Sequence, residues 1–403
     1  MKRILFVDDE PKVLEGIQRM LRPMRHEWDT VFAQNGREAL GILTEQPVDV
    51  VVSDMRMPGM DGVQLLTEVM RRYPQIIRIA LSGHSEREMI LRAVGPTHQY
   101  LAKPCDPEML RSAVARAVAL RGVLSKDALR QAVSQMQSLP SLPQLYVEMV
   151  EELRSPDASM KRAGEIIGKD MGMTAKVLQL VNSAFFSLPR HVTGPSEAAA
   201  LLGLDTLQTL ILSVQVFSQL DHARATGLCI ETLWNHSMAT GTLAKRICAA
   251  ESCEAKACDH ALMAGLLHDA GKLVLAANLP DEYRQALGLA RDAAVAHWEA
   301  EEQILGTTHA EAGAYLLGLW GLPDPIVEAL AFHHCPNECV ADTFTPLTAV
   351  HVANALEHEA DNASEDHDTS RLDTDYLARI GLAERLSVWR KLQQAVLQEG
   401  VSE

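Results

Sequence analysis

The chain is 403 residues long, more than one average domain needs, and 47% of it is apolar, enough for real cores. Its formal net charge is −16, from 53 acidic and 37 basic side chains. That excess of carboxylates opposes the counterion release on which duplex binding depends, so nucleic acid is not an expected partner.

At the amino end Met1-Lys2-Arg3 runs straight into Ile4-Leu5-Phe6-Val7 and the acids Asp8-Asp9-Glu10, too short an apolar stretch for a secretory leader. No apolar run approaches the ~18 residues of a membrane span. With seven scattered cysteines, an odd number, a cytoplasmic, reducing setting with no membrane contact is expected. Residues 3–7 read as a first strand, and Pro11 opens a helix to about residue 22. A second strand over Trp28–Ala33 and a helix over 36–44 follow. Val48, Val50, Val51 and Val52 form a β-branched run ending at Asp54, the pattern of a strand buried on both faces. After a loop with Pro58, Gly59 and Gly62 come a helix to Tyr73, a strand over 76–81, a helix over 86–93 and a last strand over Gln99–Ala102. Pro104 and Asp106 introduce the final helix of this region. Strands alternating with helices predict an open, mostly parallel sheet covered on both sides, ending near residue 120.

Residues 121–138 read as a helical linker. From about 139 to 357 successive helices are separated by Gly or Pro breaks, with no strand pattern. Residues 358–373 are acidic and lack large apolar groups, as in a mobile loop, and 374–403 form a helical extension expected to dock back.

Asp8, Asp9 and Asp54 fall at the carboxyl ends of the first and third strands, the edge where open α/β sheets bind ligands. Three convergent carboxylates repel unless a cation neutralises them, and Mg²⁺ suits hard oxygens. Lys103 follows the last strand and Ser82 ends the fourth, so an ammonium and a hydroxyl can meet phosphoryl oxygens there. Solvated loop acids are the plainer alternative.

Asp8-Asp9, Asp54, Met57-Pro58-Gly59-Met60-Asp61-Gly62, Ser82-Gly83, Tyr100 and Lys103-Pro104 resemble a two-component receiver domain over residues 1–120. The resemblance implies a flavodoxin-like strand order 2-1-3-4-5, Asp54 as acceptor of a phosphoryl group from a histidine kinase, and Asp8 and Asp9 helping to hold Mg²⁺. It also implies Ser82 and Lys103 on the phosphoryl group and Tyr100 as the aromatic switch. Gly95-Pro96-Thr97-His98 departs from the usual turn before the last strand.

In the helical region His236, His268-Asp269, His309 and His333-His334 are types that bind one or two transition metals, Fe, Mn or Zn, through imidazoles and a bridging carboxylate. Lys272, one turn after His268, is placed to meet a bound phosphate. Capping or core histidines are the competing explanation. Cys335 and Cys339 offer a structural zinc alternative, whereas Cys248, Cys253 and Cys258 fit no strong metal motif. Trp234, Trp298, Trp320 and Trp389 read as helix packing.

Leu139-Pro140-x-Leu142-Pro143, Val181-Asn182-Ser183-Ala184, Trp234-x-His236, Gly265-Leu266-Leu267-His268-Asp269-Ala270-Gly271-Lys272, His309-x-Glu311-x-Gly313 and His333-His334 resemble the HDOD domain, a relative of HD and HD-GYP phosphohydrolases. The resemblance implies an all-α fold and first of all a non-catalytic interaction module. Asn354 stands where catalytic relatives carry a late ligand Asp, and Cys335-Pro336-Asn337 replaces a Gly-Tyr-Pro signature. The expected function is a phosphorylation-controlled response regulator whose HDOD module binds a signalling protein, with interdomain or homodimer contacts carrying the switch. The alternative is a phosphorylation-gated, metal-dependent phosphohydrolase of a nucleotide or cyclic dinucleotide.

Overall fold

The computed structural model describes residues 2–82, 96–103, 105–120, 133–134, 136, 148–149, 151–153, 155, 158–182, 192–203, 207, 226–360 and 371–400. The expected helix over 86–93, Pro104, most of the linker, the Leu139–Pro143 motif and residues 361–370 of the acidic loop lie outside them, as does the side chain of Ser82.

The strands are β1 (Lys2–Val7), β2 (Trp28–Ala33), β3 (Val50–Asp54), β4 (Ile77–Ser82) and β5 (Gln99–Ala102). They form one five-stranded parallel sheet in the order β2-β1-β3-β4-β5. All five residues of β3 are buried, as its valine run requires of a central strand covered on both faces. Side chains alternate across it: Ile4, Phe6, Val50 and Val52 belong to one layer, and Leu5, Val7 and Val51 to the other. The first layer meets α1 (Pro11–Leu21) through Leu14, Ile17 and Leu21, and α4 (Pro107–Leu120) through Leu110 and Val114. The second meets α2 (Gly36–Glu45) through Ala39 and Leu43, and α3 (Gly62–Arg72) through Leu65, Leu66 and Val69. Pro at the first position starts α1, and a reciprocal Asp61–Gln64 cap starts α3. In register, Asp54 lies opposite Leu81 and Ser82 opposite Ala102, which brings the carboxyl ends of β3, β4 and β5 to one rim.

Beyond β5 the described residues contain no strand. The helices are α5 (Met160–Ile167), α6 (Met171–Val181), α7 (Pro195–Leu202), α8 (Ile230–Ala250), α9 (Ala255–Leu267), α10 (Ala270–Asn278), α11 (Pro280–Ala293), α12 (His297–Leu305), α13 (His309–Leu319), α14 (Asp324–Phe332), α15 (Pro346–Ala360), α16 (Thr374–Arg379) and α17 (Leu386–Gly400). α9 and α15 pack on each other and on both α8 and α14, and α13 lies between α10 and α14. The region expected as continuous helix after residue 374 is two helices joined through a 3₁₀ turn at Ala383–Arg385. Its second helix is held by the buried Trp389, whose Nε1 donates to Glu251 Oε1 at 2.8 Å. The apolar layer that holds α1 and α4 continues into the helical unit through Val133 and Met136.

Candidate functional site

The sheet rim gathers the first site. Asp8 follows β1 and Asp54 ends β3, and both are buried, with Asp9 half-buried between them and solvent. Oxygens of all three lie close enough to share one cation. Lys103 Nζ sits 2.6 Å from Asp8 Oδ2 and 2.6 Å from Asp54 Oδ1, so one ammonium bridges two carboxylates that would otherwise repel. Burial raises the Asp54 carboxyl above its ordinary value, and Lys103 opposes that rise. Burial also acts against the Lys103 charge, but Asp54 and Asp8 outweigh it and the ammonium is raised. Tyr100 pairs with Ala80 across β4–β5 and points its ring into the buried layer with α2 and α3. Burial pushes its phenol far up.

The second site lies where α8, α9, α10, α13, α14 and α15 converge. His236 comes from α8, His268 and Asp269 from the α9–α10 junction, and His309 from the first position of α13. His333 and His334 follow α14, and Asn354 lies on α15. Asp269 is central. Its Oδ1 is 3.1 Å from His309 Nε2 and 3.9 Å from His333 Nε2, and its Oδ2 is 3.4 Å from His268 Nε2. His334 Nε2 is 2.9 Å from His309 Nε2. Two donor sets result, Asp269 with His309, His333 and His334, and Asp269 with His236 and His268. The sequence-expected residues are thus all in one cluster.

Three rings are oriented from behind. Gly265 O lies 2.7 Å from His268 Nδ1, Leu330 O 2.8 Å from His333 Nδ1, and Glu301 Oε2 2.7 Å from His309 Nδ1. An acceptor on Nδ1 places the proton there and leaves Nε2 as the ligand atom. His268 Nε2 and His333 Nε2 are buried without a hydrogen-bond partner, an arrangement that costs free energy unless something binds there. Separations near 3 Å between Nε2 and carboxylate oxygens are what adjacent ligands at ~2.1 Å from one ion span. The donors therefore fit a transition metal.

Charge in the cluster is uneven. Burial lowers His268 to about 4, and burial, with His268 and His309 adding to it, lowers His333 well below the usual range. Burial also works against a charge on His309, but Glu301, then Asp269, overcome it and hold that imidazole at about 9. Burial would raise Asp269, yet His268 and Lys272 outweigh it, and its carboxyl lies well below the ordinary value. Lys272, expected to meet a phosphate, donates to Asp269 Oδ2 at 2.9 Å. Asn354 Oδ1 is 2.9 Å from His236 Nε2, a neutral amide where a carboxylate would add charge. Cys335 and Cys339 belong to no metal-sized group among the described residues.

Residues outside the sequence expectation complete the site. Glu301, 1% exposed, accepts from both the backbone N and Nδ1 of His309. Its signal was present: His297, Glu301 and Leu305 form a buried stripe at helical spacing, and a carboxylate inside such a stripe needs a partner. Trp298 stacks on His334 with ring centroids 5.9 Å apart, and His358, one turn beyond Asn354, lies 4.5 Å from the His236 ring.

Two family models match this chain, the response regulator receiver domain over residues 4–115 and the HDOD domain over residues 139–336. An uncharacterized protein of Treponema pallidum is 28% identical over 232 residues, 57% of this chain and 44% of that protein. The hydrogenase transcriptional regulatory protein HoxA of Cupriavidus necator is 32% identical over 195 residues, 48% of this chain and 39% of that one. The chain spans less than half the length of these curated relatives. Among solved structures, the MmoQ response regulator of Methylococcus capsulatus is 23% identical with a TM-score of 0.47, covering 63% of this chain and 98% of its own. Among the described residues no helix is long and apolar enough to cross a membrane.

Proposed function

We propose, from the premise that this chain has an N-terminal receiver domain and a C-terminal HDOD domain and so the architecture of a response regulator, that Asp54 is its phosphoacceptor and that the HDOD domain is a non-catalytic binding output. The observation that carries the first half is Lys103 Nζ at 2.6 Å from both Asp8 and Asp54. An ammonium already beside the acceptor oxygen can accompany the incoming phosphoryl oxygens without reorganising the site.

In this reading an Asp54 carboxylate oxygen attacks the phosphorus of a kinase phosphohistidine, the P–N bond breaks, and the imidazole leaves with a proton. Asp8, Asp9 and Asp54 would hold Mg²⁺, which when bound would supply charge neutralisation for the transferring group. Ser82 and Lys103 contact the bound phosphoryl group, and Tyr100 answers it through its buried position. The test is transfer from a phosphohistidine donor with and without Mg²⁺. Undiminished labelling of Asp54→Ala sinks the acceptor assignment.

The HDOD half rests on charge. Among the described residues Asp269 is the one carboxylate inside the two donor sets; Glu301 stands behind His309 on its Nδ1 side, outside them, and Asn354 adds no charge. Two divalent ions there would leave the cluster strongly positive and poorly suited to hold a hydroxide. Its output is then a surface that binds a signalling protein.

A second reading, a metal-dependent phosphohydrolase of a nucleotide or cyclic dinucleotide, is favoured by the three imidazoles anchored through Nδ1. Fe, Mn or Zn analysis of protein purified without chelator separates the two. Two stoichiometric ions with turnover lost in Asp269→Ala establish the enzyme, and absence of turnover in metal-replete protein establishes the binding module.

A further inference from the structure

The helix that begins with His309 ends against the receiver. At its start, the Thr308–Glu311 capping box fixes His309 as the first helical residue. Glu301 Oε2 then accepts from His309 N at 2.7 Å and from Nδ1 at 2.7 Å, so one carboxylate pins both the helix end and the ring. On the other side, a Cβ at Gly271 would lie 1.8 Å from His309 O. Only glycine lets α10 reach this backbone contact, which ties His309 to the segment that carries Asp269.

Six residues on, ~9 Å along the axis, is Tyr315. It is fully buried, and its hydroxyl lies 3.1 Å from Ser134 Oγ. Ser134 O accepts from Arg78 Nη2 at 2.7 Å and from His98 Nε2 at 2.9 Å. Past the helix end, Gly321 has φ +81, and a Cβ there would meet Gln99 Nε2 at 2.7 Å. Arg116 of α4 donates to Leu322 O at 3.2 Å and pairs with Asp324 at 2.9 Å. Gln179 of α6 donates to His98 O at 2.9 Å. The far end of α13 is therefore fixed to β4, β5 and α4.

Those same strands carry the phosphorylation groups. β4 holds Arg78 near its start and Ser82 at its end, and the β5 segment runs from His98 and Gln99 through Tyr100 to Lys103. A change in Tyr100 or β5 has to be taken up at His98 and Gln99, because close-packed interiors do not absorb displacement. α13 passes it to His309.

We propose that α13 is a strut coupling the two sites, so that the receiver's state sets the affinity of the histidine cluster for a transition-metal ion. By linkage, a metal at the cluster sets the receiver's affinity for a phosphoryl mimic by the same factor. A transition metal is then a second input to the switch. This rests on the Asp54 reading for the receiver's half of the coupling.

The test titrates Co²⁺ into the full chain at saturating Mg²⁺, with and without beryllofluoride, following visible absorption, with Asp269→Ala as the blank for other sites. In the native chain beryllofluoride is expected to change Co²⁺ affinity about tenfold. In Tyr315→Phe with Arg116→Ala the change falls below about twofold while circular dichroism stays native. An equal change in that variant, no change in native chain that binds beryllofluoride, or no Co²⁺ bound at Asp269 overturns the strut. If beryllofluoride does not bind, the Asp54 reading fails instead. The strut is then decided without it: the same variant must still shift Co²⁺ affinity at least about threefold, and an unshifted affinity overturns it.

Discussion

Glu301 and Asp269 hold His309 from opposite sides of its ring, at 2.7 Å from Nδ1 and 3.1 Å from Nε2. The imidazole stands at about 9 because the two carboxylates overcome the burial that works against its charge. A Glu301→Gln variant keeps an acceptor for Nδ1–H but removes the charge behind the ring. Metal affinity at the cluster is expected to fall by roughly 10–100-fold, the usual cost of losing an orienting partner. Calorimetric titration against the native chain checks it. Equal affinities would reduce Glu301 to a packing residue.

Gly271 gives a sharper geometric test. Its missing Cβ would stand 1.8 Å from His309 O and 2.6 Å from the attached carbon, both backbone atoms that no rotamer can move aside. Gly271→Ala must push α10 and α13 apart. We expect a loss of stability of about 1–3 kcal/mol in denaturant unfolding, together with weakened metal binding. Gly288, with nothing near its missing Cβ, is the control position, and Gly288→Ala should cost neither.

How much of this was legible varied with the kind of interaction. Asp8, Asp54 and Lys103 could be placed from strand patterns, because a parallel sheet brings carboxyl ends to one rim whatever the side chains do. The histidines could be named but not assembled: they come from four separate helical segments, and no periodicity in one helix reports the crossing of another. Glu301 and Arg78 are the instructive cases. Each is a charge inside an apolar pattern, His297-Glu301-Leu305 and Ile77-Arg78-Ile79, so the anomaly was readable while its partner was not. For Arg78 the partners are carbonyls of Pro74, Ile76, Pro96 and Ser134 together with the His98 ring, which sequence cannot assign.

His98 leads to a pH prediction. The backbone N–H of Arg78 donates to its Nδ1 at 3.0 Å, and the guanidinium stands 2.8 Å from Nε2. Burial first, then Arg78, lowers its pKa well below the ordinary value, with Lys176 also opposing protonation and the Ser134 carbonyl favouring it. The ring is neutral in the folded chain, whereas the unfolded chain takes up a proton near pH 6.5. Folded stability attributable to His98 is thus present above that pH and lost as pH falls below it, by about 1.4 kcal/mol per unit. Native chain and His98→Gln, unfolded in urea at pH 7.5 and 5.5, should differ by about 1.4 kcal/mol in the stability lost across that whole interval. Parallel slopes would mean that His98 is protonated in place.

Lys103 makes the last case. Its ammonium bridges the Asp8 and Asp54 carboxylates, and Asp54 is already raised by burial. Lys103→Met leaves two buried carboxylates facing each other with Asp9 beside them. Mg²⁺ then has no ammonium to compete with, so the rise in Tm on adding Mg²⁺ should be larger in the variant than in the native chain. Under the proposed acceptor role of Asp54, the same change removes a cation from the transferring phosphoryl group, and labelling should slow by at least about tenfold without disappearing. The two effects run in opposite directions, tighter metal and slower transfer. A variant that merely disordered the rim would weaken both, so measuring them together decides whether Lys103 acts as the charge between Asp8 and Asp54.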